Sequence, residues 1–145
     1  MITLDASVVI AHLYPRDPHH QAATEYLRRS AEQGFVIHSL NLAEVLVGGV
    51  KAGRGQEMLT DLQMIGIHVA DRPDGEPLRL ANLRASSGLK LPDCCALATA
   101  LATASTLATF DDALAKAARQ HHVTVAPDDR NADGLRDSDG GCDAG

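Results

Sequence analysis

Apolar positions along the chain fall into two kinds of segment. Short runs of aliphatic and β-branched residues occur at MITL (1–4), FVIH (35–38), GIHVA (66–70), STLATF (105–110) and HVTVA (122–126), and each predicts a strand. Between them lie longer segments whose apolar residues recur every three or four positions. Residues 40–52 carry Leu42, Val45, Leu46 and Val50, an i, i+3, i+4, i+8 stripe that places one face of a helix against a core. Residues 18–33 open near Pro18 and stop at Gly34, the usual asymmetry of helix ends. Gly53 and Gly55 break the pattern before a helix over 55–64, and further helices are predicted at 6–13, 76–87, 92–104 and 112–120.

Strands alternating with helices of this length imply βαβ units. The predicted fold is therefore α/β, a three-layer α/β/α sandwich around a mostly parallel sheet of about five strands. The pattern ends at Pro127. The remaining DDRNADGLRDSDGGCDAG (128–145) has almost no large apolar residue, so it cannot offset its own ordering entropy and is expected to be a flexible extension of a domain spanning 1–127.

Composition changes this picture in three places. With aromatics at 3% and no Trp, the core must be built from Leu, Val, Ile and Ala. The net charge of −6 argues at first against a nucleic-acid partner, but 128–145 holds six Asp and two Arg, a net of −4. Residues 1–127 then carry 13 acidic and 11 basic groups, a net of −2, so charge is permissive toward RNA rather than informative. Cys94 and Cys95 are adjacent and Cys142 lies in the polar tail, which is neither a disulfide framework nor a zinc-ligand spacing. A reducing, cytoplasmic setting fits, with no signal peptide and no apolar run near the ~20 residues of a membrane span.

Candidate chemistry lies in the acids. Ligands of open α/β sheets bind beyond the carboxyl ends of the strands. Asp5 follows the first strand directly, and Asp111 follows STLATF. Glu44 lies in the first turn of the helix after the second strand, and Asp93 heads a later helix in LPDCCALATA. Each alone has an ordinary explanation. Asp5 and Asp111 can cap the helices they precede, Asp93 can complement a helix dipole, and Glu44 can form a capping-box-like pair with Asn41. Ser7 can be a cap, and Asp112 a helix-start acid. Together, four converging carboxylates would repel one another unless a cation stood between them. An all-oxygen set suits Mg²⁺ or Mn²⁺, which suggests phosphodiester chemistry. The paired His19–His20 and His121–His122 have no partner Cys and read as surface polar residues.

The segments LDAS, LAEVL, LPDCCALATA and ATFDDAL, in this order, make the chain resemble a PIN-domain ribonuclease, specifically a VapC-type toxin of a bacterial toxin–antitoxin pair. The likeness covers about residues 1–127; the acidic tail has no place in it. It implies that Asp5, Glu44, Asp93 and Asp111 form an acidic metal pocket, with Ser7 and Thr109 orienting ligands by hydrogen bonds. It also implies a Mg²⁺- or Mn²⁺-dependent endoribonuclease acting on structured RNA such as transfer RNA, a homodimer, and a cognate antitoxin that blocks the pocket. The alternatives left open by the residues are a PIN-like RNA- or protein-binding module without cleavage, and a receiver-type phospho-acceptor domain. Against the second, a lone Asp5 stands early and no Lys follows the last strand.

Overall fold

The computed structural model describes residues 1–128. Residues 129–145 lie outside it, and with them most of the acidic extension and Cys142. The elements are β1 (Ile2–Leu4), α1 (Ala6–Leu13), α2 (His20–Arg29), a 3₁₀ turn (Ala31–Gln33), β2 (Phe35–Ile37), α3 (Ser39–Lys51), α4 (Gly55–Met64), β3 (Ile67–Val69), α5 (Glu76–Ser87), α6 (Leu91–Thr103), β4 (Thr106–Ala108), α7 (Asp112–Gln120) and β5 (Val125–Ala126). Each of the five predicted strands forms, but with only two or three residues in the ladder.

One predicted helix is divided. The pattern over 18–33 becomes α2 plus the 3₁₀ turn, separated at Ser30. Pro18 stands before α2 rather than in its first turn. There Asp17 Oδ1 accepts from the His19 amide at 2.8 Å, a local turn that holds the chain outside the helix for two residues. Gly34, at φ +77°, then turns the chain into β2.

All pairings are parallel, in the order β3-β2-β1-β4-β5. β1 is thus central, flanked by β2 on one side and β4 on the other. The sequence of strands reverses direction between β1 and β4, and a crevice opens beyond the carboxyl ends at such a point. A receiver-type domain has the order 2-1-3-4-5, so this topology rules that alternative out.

Side-chain alternation divides the core into two layers. Ile2 and Leu4 of β1, Phe35 and Ile37 of β2 and Ala108 of β4 face α1 to α4, where Val8, Val9, Leu42, Val45 and Leu62 close over them. Leu107 faces the other way, into a layer of Cys94, Leu97, Leu114 and several alanines from α6 and α7. The small residues let α6 lie close to the sheet. A close approach also involves Gly48: a Cβ there would sit 2.2 Å from the Tyr14 hydroxyl, so any larger residue would require the exposed Tyr14 side chain to swing aside.

Candidate functional site

Asp5 ends β1 in an extended conformation, and its amide donates to the Ala108 carbonyl at 2.9 Å. This pins it beside the end of β4. Its side chain is 5% exposed. Although it occupies the N-cap position of α1, its side chain makes no capping hydrogen bond to that helix. Oδ2 instead accepts from Ser7 Oγ at 2.8 Å and from Thr109 Oγ1 at 2.9 Å. Ser7 lies inside the first turn of α1 rather than at its cap, and its Oγ also accepts from the Phe110 amide at 3.1 Å. The two hydroxyls thus tie the ends of β1 and β4 together around one carboxylate.

Burial pushes the Asp5 carboxyl above its ordinary value; the hydroxyls of Ser7 and Thr109 and the Ala6 amide oppose that, and Asp111 adds to it. A buried carboxylate with donors on one oxygen and a like charge nearby remains short of positive charge.

Asp93 stands near the N-terminus of α6, where Pro92 occupies the first turn. Burial pushes its carboxyl up to about 6, helped by Asp111, then Asp5, then Glu44; Lys90 acts in the opposite direction. The other three acids foreseen from the sequence, each from a separate part of the chain, thus all lie near enough to act on Asp93. Asp111 follows β4, and its Oδ1 caps α7 by accepting from the Leu114 amide at 2.8 Å. For this residue the helix-cap explanation is correct, alongside its place among the acids. Its own amide donates to Thr109 Oγ1 at 3.0 Å, so Thr109 orients two of the four. Asp112 is the first residue of α7. It lines an open polar cavity of about 260 Å³ with Thr109, Phe110, Asp111 and Arg119.

Glu44 is exposed and lies two turns into α3. The capping-box expectation fails here. The cap of α3 is His38, whose Nδ1 accepts from the Leu40 amide at 3.0 Å, and Asn41 lies inside the helix. The His38 ring is turned by that bond so that Nε2 meets Glu76.

Among the described residues no three His, Cys, Asp or Glu side chains close on a common point as a finished ligand set. The donor chemistry fits a hard divalent cation all the same. The four side chains offer only carboxylate oxygens, and Asp93, raised first by burial and then by three neighbouring acids, marks a place where negative charge outweighs the one opposing cation, Lys90. Of the basic residues, Lys90 flanks Asp93 and Arg119 lines the neighbouring cavity. Arg54 is engaged with Glu57, and Arg84 closes the end of α5 through the carbonyls of Gly88 and Leu89.

Two features were missed by sequence reasoning. His19 is not merely a surface polar residue: its ring stacks on Phe110, with centroids 4.3 Å apart and planes within 7°, next to Thr109 and Asp111. No periodicity links residues 19 and 110. Asn41 was paired with Glu44 by its i, i+3 spacing, but its complete burial and its second bond, to the Pro92 carbonyl, were not foreseen.

A family model described as the PIN domain matches residues 2–120. Solved structures with similar folds include a toxin–antitoxin complex from Klebsiella pneumoniae, 24% identical over 77% of this chain and 87% of that one, with a TM-score of 0.62. FitAcB from Neisseria gonorrhoeae is 21% identical over 86% and 96%, at 0.64. VapBC2 from Rickettsia felis, bound to a DNA fragment from its promoter, is 18% identical over 87% and 98%, at 0.65. At these identities the likeness speaks for the fold. Among curated proteins none matches the sequence.

Proposed function

The chain belongs to the PIN-domain family, and from that premise we propose that it is a Mg²⁺- or Mn²⁺-dependent endoribonuclease, the VapC-type toxin of a toxin–antitoxin pair. The observation that carries this reading is the buried Asp5 carboxylate at the end of β1, which leaves its own helix uncapped and is held instead by the hydroxyls of Ser7 and Thr109, with Asp93 close enough to feel the charges of Asp111, Asp5 and Glu44. A protein that only docked RNA would have no use for four acids repelling one another around a strand end.

Asp5, Glu44, Asp93 and Asp111 would hold the cation. When bound, it supplies Lewis acidity and positive charge beside the scissile phosphodiester. The chain's own residues prepare that place. Ser7 and Thr109 fix the Asp5 carboxylate by two hydrogen bonds on Oδ2, so its orientation is set before any ligand arrives. Thr109 also fixes the backbone of Asp111. Lys90, beside Asp93, places a cation where a substrate phosphate would approach.

Structured RNA such as transfer RNA is the proposed substrate class, and a cognate antitoxin and a second copy of the chain are the proposed partners. The toxin–antitoxin assemblies among the structural neighbours support an antitoxin. No helix among the described residues is long and apolar enough to cross a membrane.

The deciding experiment is cleavage of RNA by the purified chain with excess chelator, and then with Mg²⁺ or Mn²⁺ restored. Cleavage should vanish and return, and Asp93→Asn should abolish it. Cleavage that persists in chelator ends the metal-dependent reading.

A further inference from the structure

Among the described residues, Asn41 Oδ1 is the only buried side-chain oxygen or nitrogen without a hydrogen-bond partner. The residue is 0% exposed. Its Nδ2 makes two bonds, donating to Glu44 Oε1 at 3.2 Å and to the Pro92 carbonyl at 3.0 Å. Both partners are acceptors only, so the amide cannot be turned the other way round to satisfy its oxygen. An unpaired buried carbonyl costs free energy and requires a reason.

Neither partner needs Asn41 for the fold. The Pro92 carbonyl lies in the first turn of α6, where the helical pattern already provides it with the amide four residues on. Glu44 is exposed, and water would solvate its carboxylate. A Leu at position 41 would fill the space and leave no orphan. What the amide does achieve is a link between two helices. It joins the Glu44 carboxylate on α3 to the residue immediately before Asp93 on α6. Two acids from separate helices, otherwise free to move apart under mutual repulsion, are held in a common frame.

We infer that Asn41 is a positioning residue for the acidic site, holding the Glu44 carboxylate in register with the start of α6 so that it is oriented before a cation binds. This inference rests on the metal-site reading given above. It goes beyond that reading by assigning the buried amide, rather than the solvent-facing helix surface, as what sets the Glu44 geometry.

The test is Mn²⁺ titration calorimetry on the full chain, with metal-free thermal melts alongside. It compares wild type, Asn41→Leu, Glu44→Gln and the double variant. Asn41→Leu should weaken Mn²⁺ binding by about 10–100-fold, as loss of a supporting hydrogen bond to a metal ligand does, while its metal-free melting temperature does not fall. In the Glu44→Gln background the same substitution should change affinity by less than about twofold, because the group it acts through has lost its charge. Should Asn41→Leu fail to fold, Asn41→Ser, which is too short to reach both acceptors, should show the same dependence on Glu44. Equal losses in both backgrounds, or wild-type affinity in the Asn41 variants, would overturn the assignment. A wild-type chain that binds no Mn²⁺ would instead sink the metal site itself, and the positioning role with it.

Discussion

Two hydroxyl clusters flank β1, and they differ in one respect. Thr3 and Asp5 are two residues apart, so both face α6, and both are buried. At Thr3, Oγ1 lies 2.6 Å from Ser105 Oγ, which in turn lies 2.8 Å from Thr103 Oγ1. Three neutral hydroxyls bond to one another, and Thr103 donates onward to the Thr99 carbonyl at 2.8 Å. At Asp5, two hydroxyls satisfy one oxygen of a carboxylate whose pKa burial raises. The first cluster is closed and the second has charge left over. Because α6 runs antiparallel to the strands, its last turn carries Thr103 to the closed cluster and its first turn carries Asp93 to the open one. The same materials, placed at opposite ends of one helix, make a self-satisfied cluster at one end and an acidic cluster with charge left over at the other.

The largest effect that would sharpen this contrast comes from Asp93→Asn or Asp5→Asn. RNA cleavage should fall by roughly 10²-fold or more, while metal-free thermal stability does not fall, since a repelling charge has gone. Nuclease assays run beside melts in chelator check this. A loss of stability with activity retained would make the open end a mere cap.

Next in size is a pH effect. Asp93 is raised from 3.8 to about 6 in the folded chain, so between those values the folded state binds more protons than the unfolded one. Stability contributed by the protonated carboxyl is full below 3.8 and is lost as pH rises through about 6. The metal-free melting temperature should therefore decline across that interval. Asp93→Asn should remove this part of the decline, and saturating Mn²⁺ at neutral pH should restore stability to the wild type. An identical pH slope in the variant would break the argument.

Thr109→Val removes one donor from Asp5 Oδ2 and the acceptor for the Asp111 amide. Cleavage should drop about 10-fold, within the range for groups that orient ligands, and metal affinity measured by calorimetry should drop with it. The smallest effect belongs to Thr3→Val. Ser105 and Thr103 remain bonded to each other, so stability should change by less than about 1 kcal/mol. RNA cleavage should stay within about twofold of wild type. If Thr3→Val were as damaging as Thr109→Val, the two ends of β1 would not differ in kind.

Much of this was legible in sequence because the signals were local. MITL before Asp5 has strand alternation, and STLATF before Asp111 has it again, so both acids could be placed at strand ends. The mostly parallel sheet followed from strands alternating with helices. What was not legible depended on contacts across the sheet. Asp5 does not cap α1 because its carboxylate is held by Ser7, two residues on, and by Thr109, over a hundred positions away, and the second of these partners has no local signal. Asp111, by contrast, does cap its helix, and no local rule distinguishes the two. Asn41 carried a correct i, i+3 relation to Glu44, but it was assigned to a helix cap because Pro92, its other partner, comes from a distant segment. The late start of α2 turned on Asp17 capturing the His19 amide, a local choice that helical periodicity does not register.

The central place of β1 has a consequence in time. Asp5 follows β1, which is made before the other four strands of the sheet, but the hydroxyl and the strand that complete its surroundings come from Thr109, 104 residues later, and the adjoining β4. A growing chain can close α1 to α4 over one face of β1 early, since those contacts are near in sequence. The acid site cannot exist until β4 docks, and contacts of such long separation form late. An emerging or prematurely ended chain thus carries the acids of its amino-terminal half without the surroundings that Thr109 and β4 supply, and the acidic cluster becomes whole only when nearly all of the folded domain has been made.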